Sequence, residues 1–354
     1  MNENEKRLSY PFAEDLPAEG YAIEVAPGVK WIRLPLPFAL DHINCWLIAD
    51  EYEGQKGWTM VDCGINKPVV REVWEQIFAN ELDGLPIVRV MVTHMHPDHV
   101  GLAGWHCSRW NVSLWMSMTD YFVARCWTMD TKGAGTGGQG AVAHFARHGL
   151  LDKDSQQKIL ERANYYPGLV YPPPSSFNRL IDERVIDIGG HAWTLISGYG
   201  HAPEHISLYC PDLAVLISGD MLLPRISTNV SVFDFEPEAN PLPLYLNSVV
   251  KFLDLPDDTL VLPSHGRPFK GIKERVTQQL AHHEDRLREV LDLCVEPTCA
   301  AEVVPKMFKR PLDLHQLTFA MGEALAHLQA LYYEGKLSRA ADDLGVLRYQ
   351  KIDE

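Results

Sequence analysis

The residues most able to do chemistry stand in four short stretches. His94-Met-His96-Pro-Asp98-His99 sets three imidazoles and a carboxylate within six residues, directly after the apolar run Ile87-Val-Arg-Val-Met-Val. His201-Ala-Pro-Glu-His205, Ser218-Gly-Asp220 and Pro263-Ser-His265-Gly follow at long intervals. A single histidine is ordinarily a satisfied core or surface residue, but a dense group is different. Unpartnered buried imidazoles and carboxylates cost several kcal/mol, and a coordinated metal ion supplies the missing partner. The donors are nitrogen and oxygen with no thiolate, a set that suits Zn first and admits Fe or Mn.

Such loops need strands to hold them. Trp31-Ile-Arg-Leu, Asn44-Cys-Trp-Leu-Ile-Ala and Trp58-Thr-Met-Val-Asp-Cys, closed by Gly64, read as strands. A helix is expected from Pro68 to Asn80, with Pro at its opening and Val69, Val73, Trp74 and Ile77 on one face. Ile87 to Val92 reads as a buried strand running into the first histidine stretch, with Gly101 and Gly104 beyond it. In an α/β sheet, ligands sit at such strand C-termini. The grammar returns in Val185-Ile-Asp-Ile, Trp193-Thr-Leu-Ile, Ser207-Leu-Tyr-Cys and Ala214-Val-Leu-Ile-Ser, so two β-rich halves are implied. Between them, residues 125–185 hold the Gly133-Ala-Gly-Thr-Gly-Gly-Gln-Gly140 run, a helix expected over Ser155 to Asn164, and Pro172-Pro-Pro. This is too long for a plain connection and reads as a lid or substrate-facing insertion whose Gly run is a mobile loop. From residue 272 the pattern turns helical, over Ile272 to Val295, Thr298 to Phe308 and Asp313 to Glu334, with Gly335 as a C-terminal cap. Lys336-Leu-Ser-Arg and Val346-Leu-Arg-Tyr-Gln-Lys-Ile then form a hairpin. Helices followed by a hairpin suggest a winged-helix module over 272–354, after a catalytic domain over 1–271.

The histidine motif and its distant partners resemble the metallo-β-lactamase superfamily over roughly residues 30–270. The resemblance implies an α/β fold, a four-layer αβ/βα sandwich with a dinuclear metal site at the sheet edge. Carried over position by position, it makes His94, His96 and His201 ligands of one divalent ion and Asp98, His99 and His265 ligands of a second, with Asp220 bridging both. All seven positions are filled. Two ions about 3.5–4 Å apart would hold a bridging water and lower its pKa toward about 7, so the nucleophile is water rather than a side chain. Asp98 is then also placed to orient that water or accept its proton. True β-lactamases of this fold usually carry Cys where this chain has Asp220, and lack a His directly after the motif Asp, which disfavours antibiotic hydrolysis. The all-His/Asp set resembles the glyoxalase-II, lactonase, thioesterase and ribonuclease branches, and the tail resembles the winged-helix appendage of one hydrolase branch. The expected activity is hydrolysis of an acyl thioester or related ester. The alternatives are a lactonase, a metal-dependent ribonuclease or phosphodiesterase, and an iron-dependent oxygenase of the same fold using only His94, His96 or its neighbours, and Asp220.

Weaker signals surround this set. His205 reads equally as a residue steadying a ligand or as a strand-start histidine without a role. Asp62 resembles the superfamily's Asp-x-Gly that braces the metal loop, or it is a turn cap. His144, Arg147 and His148, at helical spacing, read as substrate contacts or as a solvated helix face. His282-His-Glu-Asp-Arg reads as solvated surface.

With 32 Lys and Arg against 47 Asp and Glu the net charge is −15, which disfavours nucleic acid or an anionic membrane as a general partner. The 301–354 segment, with seven basic and eight acidic residues, has no basic recognition helix, so its role is packing or homodimerisation. Residues 125–185 carry eight basic against six acidic residues, which reads equally as a locally basic reader for an anionic leaving group such as the phosphates of coenzyme A or as chance charge on a solvated lid. The N-terminus has no apolar core after its charges, and no run of about 18 apolar residues follows. Seven scattered cysteines without a Cys-x-x-Cys pair read as core filler in a reducing compartment, hence a cytoplasmic protein.

Overall fold

The structure, a computed structural model, describes residues 3–130, 133 and 137–352. The chain forms two compact units, one of residues 1–129, 167–228 and 249–276, the other of 130–166, 229–248 and 277–354. The break expected at 271 therefore lies close to a unit boundary, whereas the expected insertion over 125–185 is divided between the units.

In the first unit, β1 (Ala22–Ala26), β2 (Val29–Pro35), β3 (His42–Tyr52) and β4 (Gln55–Val61) run antiparallel, and β5 (Ile87–Met91), β6 (Leu114–Met116) and β7 (Phe177–Arg179) extend the sheet in parallel. A second sheet takes the order β12-β11-β10-β9-β8, from β8 (Val185–Ile188), β9 (His191–Gly198), β10 (His205–Cys210), β11 (Val215–Gly219) and β12 (Leu260–Pro263). The sheets face each other through one core, to which the first gives Trp31, Trp46, Ile48, Val61 and Met91 and the second Trp193, Leu195, Ile206, Leu208 and Ile217. β5 is buried at all five positions because both of its faces are covered, and its one charged residue, Arg89, is paired with Asp50 at 2.6 Å.

Helix α1 (Pro68–Asn80) occupies the expected span with Pro at its first turn. Its buried face is Val70, Val73, Trp74 and Ile77; Val69, expected inside, is exposed. Three further helices of this unit, α2 (Pro97–Val100), α3 (Ala103–Trp110) and α4 (Met118–Met129), follow β5 and β6.

The second unit contains α5 (Gly138–Arg147), α6 (Lys153–Glu161), most of α7 (Pro241–Val249), α8 (Ile272–Leu293) beyond its first turn, α9 (Ala300–Met307), α10 (Leu314–Tyr333) and a hairpin of β13 (Leu337–Ala341) and β14 (Leu347–Lys351). Every residue of α10 from Ala320 to Leu331 is buried, the signature of a helix surrounded on all sides. Asp313 and Gln316 close a capping box at its start, and Gly335 takes the left-handed conformation just past its end. Arg348 of β14 pairs with Glu302 of α9, fastening the hairpin.

Three expectations are corrected here. The Gly run supplies the first turn of α5 from Gly138, and its residues 134–136 lie outside the described residues, as does Lys132. His283 is fully buried rather than solvated, because its Nδ1 lies 3.2 Å from His327 Nε2 of α10. Cys126 is exposed, unlike the other six cysteines. Among the described residues no helix is long and apolar enough to cross a membrane.

Candidate metal centre

Strand ends in the first unit deliver the chemical side chains. After β5, His94 and His96 lie on an extended loop, and Pro97 starts α2 with φ suited to a first helical position, which turns Asp98 and His99 inward. Gly101 closes that helix where a Cβ would stand 2.5 Å from the Gly64 carbonyl, so no side chain fits. His201 precedes β10, Asp220 follows β11, and His265 follows β12. Gly219 has φ +53, and a Cβ there would meet His205 Nε2 at 2.1 Å, so the approach to Asp220 requires glycine.

Two groups of donors result. His94 Nε2 lies 2.8 Å from His96 Nδ1 and 3.2 Å from His201 Nε2, with His96 Nδ1 3.1 Å from His201 Nε2. Asp220 Oδ2 completes this group, 3.3 Å from His201 Nε2. In the second group, Asp98 Oδ2 stands 3.4 Å from His265 Nε2 and 3.7 Å from His99 Nε2. Asp220 Oδ1 lies 3.5 Å from both of those nitrogens. The two oxygens of Asp220 are thus divided between the groups.

Divalent ions fit these donors. A tetrahedron of ligands at about 2.0–2.1 Å has edges of about 3.3 Å, close to the separations found. His99 Nε2 and Asp220 Oδ1 are buried without a hydrogen-bond partner, an arrangement a cation between them would satisfy. The other ring nitrogens of His99, His265 and His94 are engaged elsewhere. His99 Nδ1 donates to Asp62 Oδ2 at 2.7 Å, His265 Nδ1 donates to the His42 carbonyl at 2.7 Å, and His94 Nδ1 faces Thr93 Oγ1 at 3.0 Å. Each bond leaves Nε2 as the free lone pair.

The electrostatics of the side chains divide accordingly. Burial, reinforced by neighbouring imidazoles, holds His94 far below the ordinary histidine range and brings His96 down to about 3. Burial opposes the proton on His99, but Asp62, Asp98 and Asp220 overcome it and push its pKa up. Burial likewise works against the Asp98 carboxylate, yet His99 and His265 bring it down to about 2. Negative charge collected on Asp98 and Asp220 requires positive charge beside it, which a metal ion provides.

Asp62 and His205 both touch this set. Asp62, at φ +63, accepts from the Thr93 backbone at 2.8 Å as well as from His99. A non-glycine residue held there is strained, and such strain persists where surroundings fix it. His205 opens β10, and its Nε2 accepts from the Asp220 N–H at 3.2 Å. His144, Arg147 and His148 are not part of either donor group: they belong to α5 and its end in the second unit. His144 and His148 are buried with rings 5.0 Å apart, against the solvated-face reading, while Arg147 is exposed.

Three supporting residues escaped the sequence reading. Asn44 donates to the carbonyls of Pro263 at 2.7 Å and Gly266 at 3.0 Å, and His42 accepts from the Gly266 N–H at 2.9 Å, fixing the His265 turn. Asp120, fully buried on α4, accepts from the Met95 N–H at 2.8 Å and from the Glu204 N–H. Each acts on backbone groups of a distant loop, so no local spacing announces it; only the polar residue beside apolar neighbours hints at Asn44.

The chain is similar along most of its length to the probable metallo-hydrolase YqjP of Bacillus subtilis, 25% identical over 86% of this chain and 92% of that one. The crystal structure of a beta-lactamase domain protein from Burkholderia ambifaria superposes with a TM-score of 0.94 at 52% identity, covering 99% of this chain and 100% of the other. A metallo-beta-lactamase family protein from Thermus thermophilus shares the fold at TM-score 0.74 and 24% identity, over 93% of this chain and 100% of that one. Residues 287–352 match the family profile described as the metallo-beta-lactamase-like C-terminal domain. The profile of the metallo-beta-lactamase superfamily matches residues 39–265, a span that holds all seven converging side chains and more than half of the sequence, and the chain therefore belongs to that superfamily of metallo-hydrolases.

Proposed function

We propose that this protein is a dinuclear metal-dependent hydrolase of ester substrates, with an acyl thioester of the acyl-CoA kind favoured and a lactone second. The observation that carries the reading is the division of Asp220, whose Oδ2 faces the His201 group and whose Oδ1 faces His99 and His265. A carboxylate so placed joins two adjacent sites. His94, His96 and His201 would hold one ion, and Asp98, His99 and His265 the other, Zn fitting the donor set first. When bound, such a pair supplies Lewis acidity toward the substrate oxygen and activates water as the nucleophile. Asp98, only partly buried, is the residue to orient that water and receive its proton. Asp62 and the His42 carbonyl hold the proton on Nδ1 of His99 and His265, which keeps Nε2 of each basic.

Substrate choice rests on the all-His/Asp donor set and on the local excess of basic residues over 125–185. Arg147 is exposed and makes no ion pair among the described residues, and a role for it toward an anionic leaving group is part of this proposal. The second unit ends in three helices and a hairpin, an order similar to a winged helix; without a basic helix it serves packing or homodimerisation. A cytoplasmic location fits the scattered cysteines. The test is elemental analysis of the purified protein with a panel of acyl-CoA, lactone, phosphodiester and RNA substrates. Turnover of acyl-CoA above the others supports the reading. RNA cleavage alone would replace it with a nuclease, and oxygen consumption with iron and no hydrolysis would replace it with an oxygenase.

A further inference from the structure

We infer that Asp120 is a positioning residue that clamps together the two loops bearing His94, His96 and His201, and so sets metal affinity in that group rather than in the other. The inference rests on the reading that each donor group holds an ion. Asp120 lies on α4, is not one of the seven donors, and has no exposed surface. Its Oδ1 accepts from the N–H of Met95, the residue between His94 and His96, at 2.8 Å. Its Oδ2 accepts from the N–H of Glu204, three residues past His201, at 2.5 Å. The link is reciprocal, because Glu204 Oε2 accepts from the Thr119 hydroxyl at 2.8 Å and from the Thr119 N–H at 3.2 Å. One helix start therefore grips both loops, 84 and 25 residues away in sequence.

The other group has a different anchor. Asp62 receives the Thr93 N–H and the His99 ring, while Asn44 and His42 fix the His265 turn, and none of these bonds involves Asp120. Buried bonds to backbone N–H groups are strongly directional, and partners behind a ligand commonly change metal affinity by about 10–100-fold. Asp120→Asn places an NH2 group against one of the two N–H donors, which turns an attraction into a confrontation of donors.

The experiment measures zinc affinity by competition with a chromophoric chelator in two backgrounds. His265→Ala impairs the second group and His94→Ala impairs the first. Adding Asp120→Asn is expected to raise the Kd about 10–100-fold in the His265→Ala protein and to change it less than about twofold in the His94→Ala protein. Equal losses in both backgrounds, or none in either, would overturn the inference. Thr119→Val removes the hydroxyl bond to Glu204 without altering Asp120 and should give a smaller loss with the same selectivity. If Asp120→Asn fails to fold, this variant decides, since an unselective or absent effect overturns the clamp. Wild-type protein that binds fewer than two zinc ions per chain would refute the dinuclear reading itself, a result separate from either variant.

Discussion

Asp220 has the most demanding position of any single residue, since each of its oxygens serves a different donor group. Replacing His94, His96, Asp98 or Asp220 by Ala should abolish hydrolysis while leaving most of the fold intact, because these residues stand on loops at strand ends. Asp220→Ala should also reduce the metal content of the purified protein. Full turnover with two ions per chain in that variant would show the bridge to be misassigned. The donors were legible because four of them fall within six residues, and the remaining three each close a strand near glycine. Asp120, Asn44 and His42 were not, because a residue that holds another loop by its backbone has no partner in its own neighbourhood. Arg147 offers a test of the substrate proposal at the same scale. Neutralising it should raise KM for an acyl-CoA several-fold more than for a small uncharged ester, and the difference should shrink with added salt. Equal effects on both substrates would leave its charge without a binding role.

At the scale of elements, long periodic segments announced themselves and short ones did not. The expected α1 agrees end to end with the observed helix, and α8, α9, α10 and the terminal hairpin agree within a few residues, as caps and turn residues mark their ends. The helices α2 to α4 went unread because their faces are short or mixed, and β6 and β7 because three residues are too few to show alternation. Burial at His283 in α8 was misjudged for a physical reason: His283 meets His327 of α10 across two helices, and a charged local sequence conceals that pairing. α10 also buries Glu323, whose pKa is raised from 4.5 to about 7 by desolvation, with Arg286 and Asn229 opposing. Below about pH 4.5 both folded and unfolded chains carry the proton, and no penalty exists. Between there and about 7 the unfolded chain releases it first, so this group's contribution to stability falls as pH rises. Glu323→Gln should therefore add roughly 2–3 kcal/mol at pH 8 and little at pH 5. Calorimetric unfolding at the two pH values checks this, and an equal change at both, or a loss at pH 8, would contradict it.

For the whole molecule, the two facing sheets bring strand ends separated by long stretches of sequence to one edge, and that arrangement makes one centre of four motifs. The superfamily was legible from the motifs alone, whereas the division into units was not, since residues 130–166 and 229–248 join the C-terminal helices through contacts that no composition change marks. All seven donors lie within the first unit, so its two sheets and their loops are sufficient to assemble the centre. The central claim is that hydrolysis depends on two ions held there. Its most direct test is a titration of chelator-stripped protein with zinc while hydrolysis of an acyl thioester is followed. The account predicts no turnover without metal, and a rise that saturates at two equivalents per chain; full hydrolysis with metal confirmed absent would contradict it.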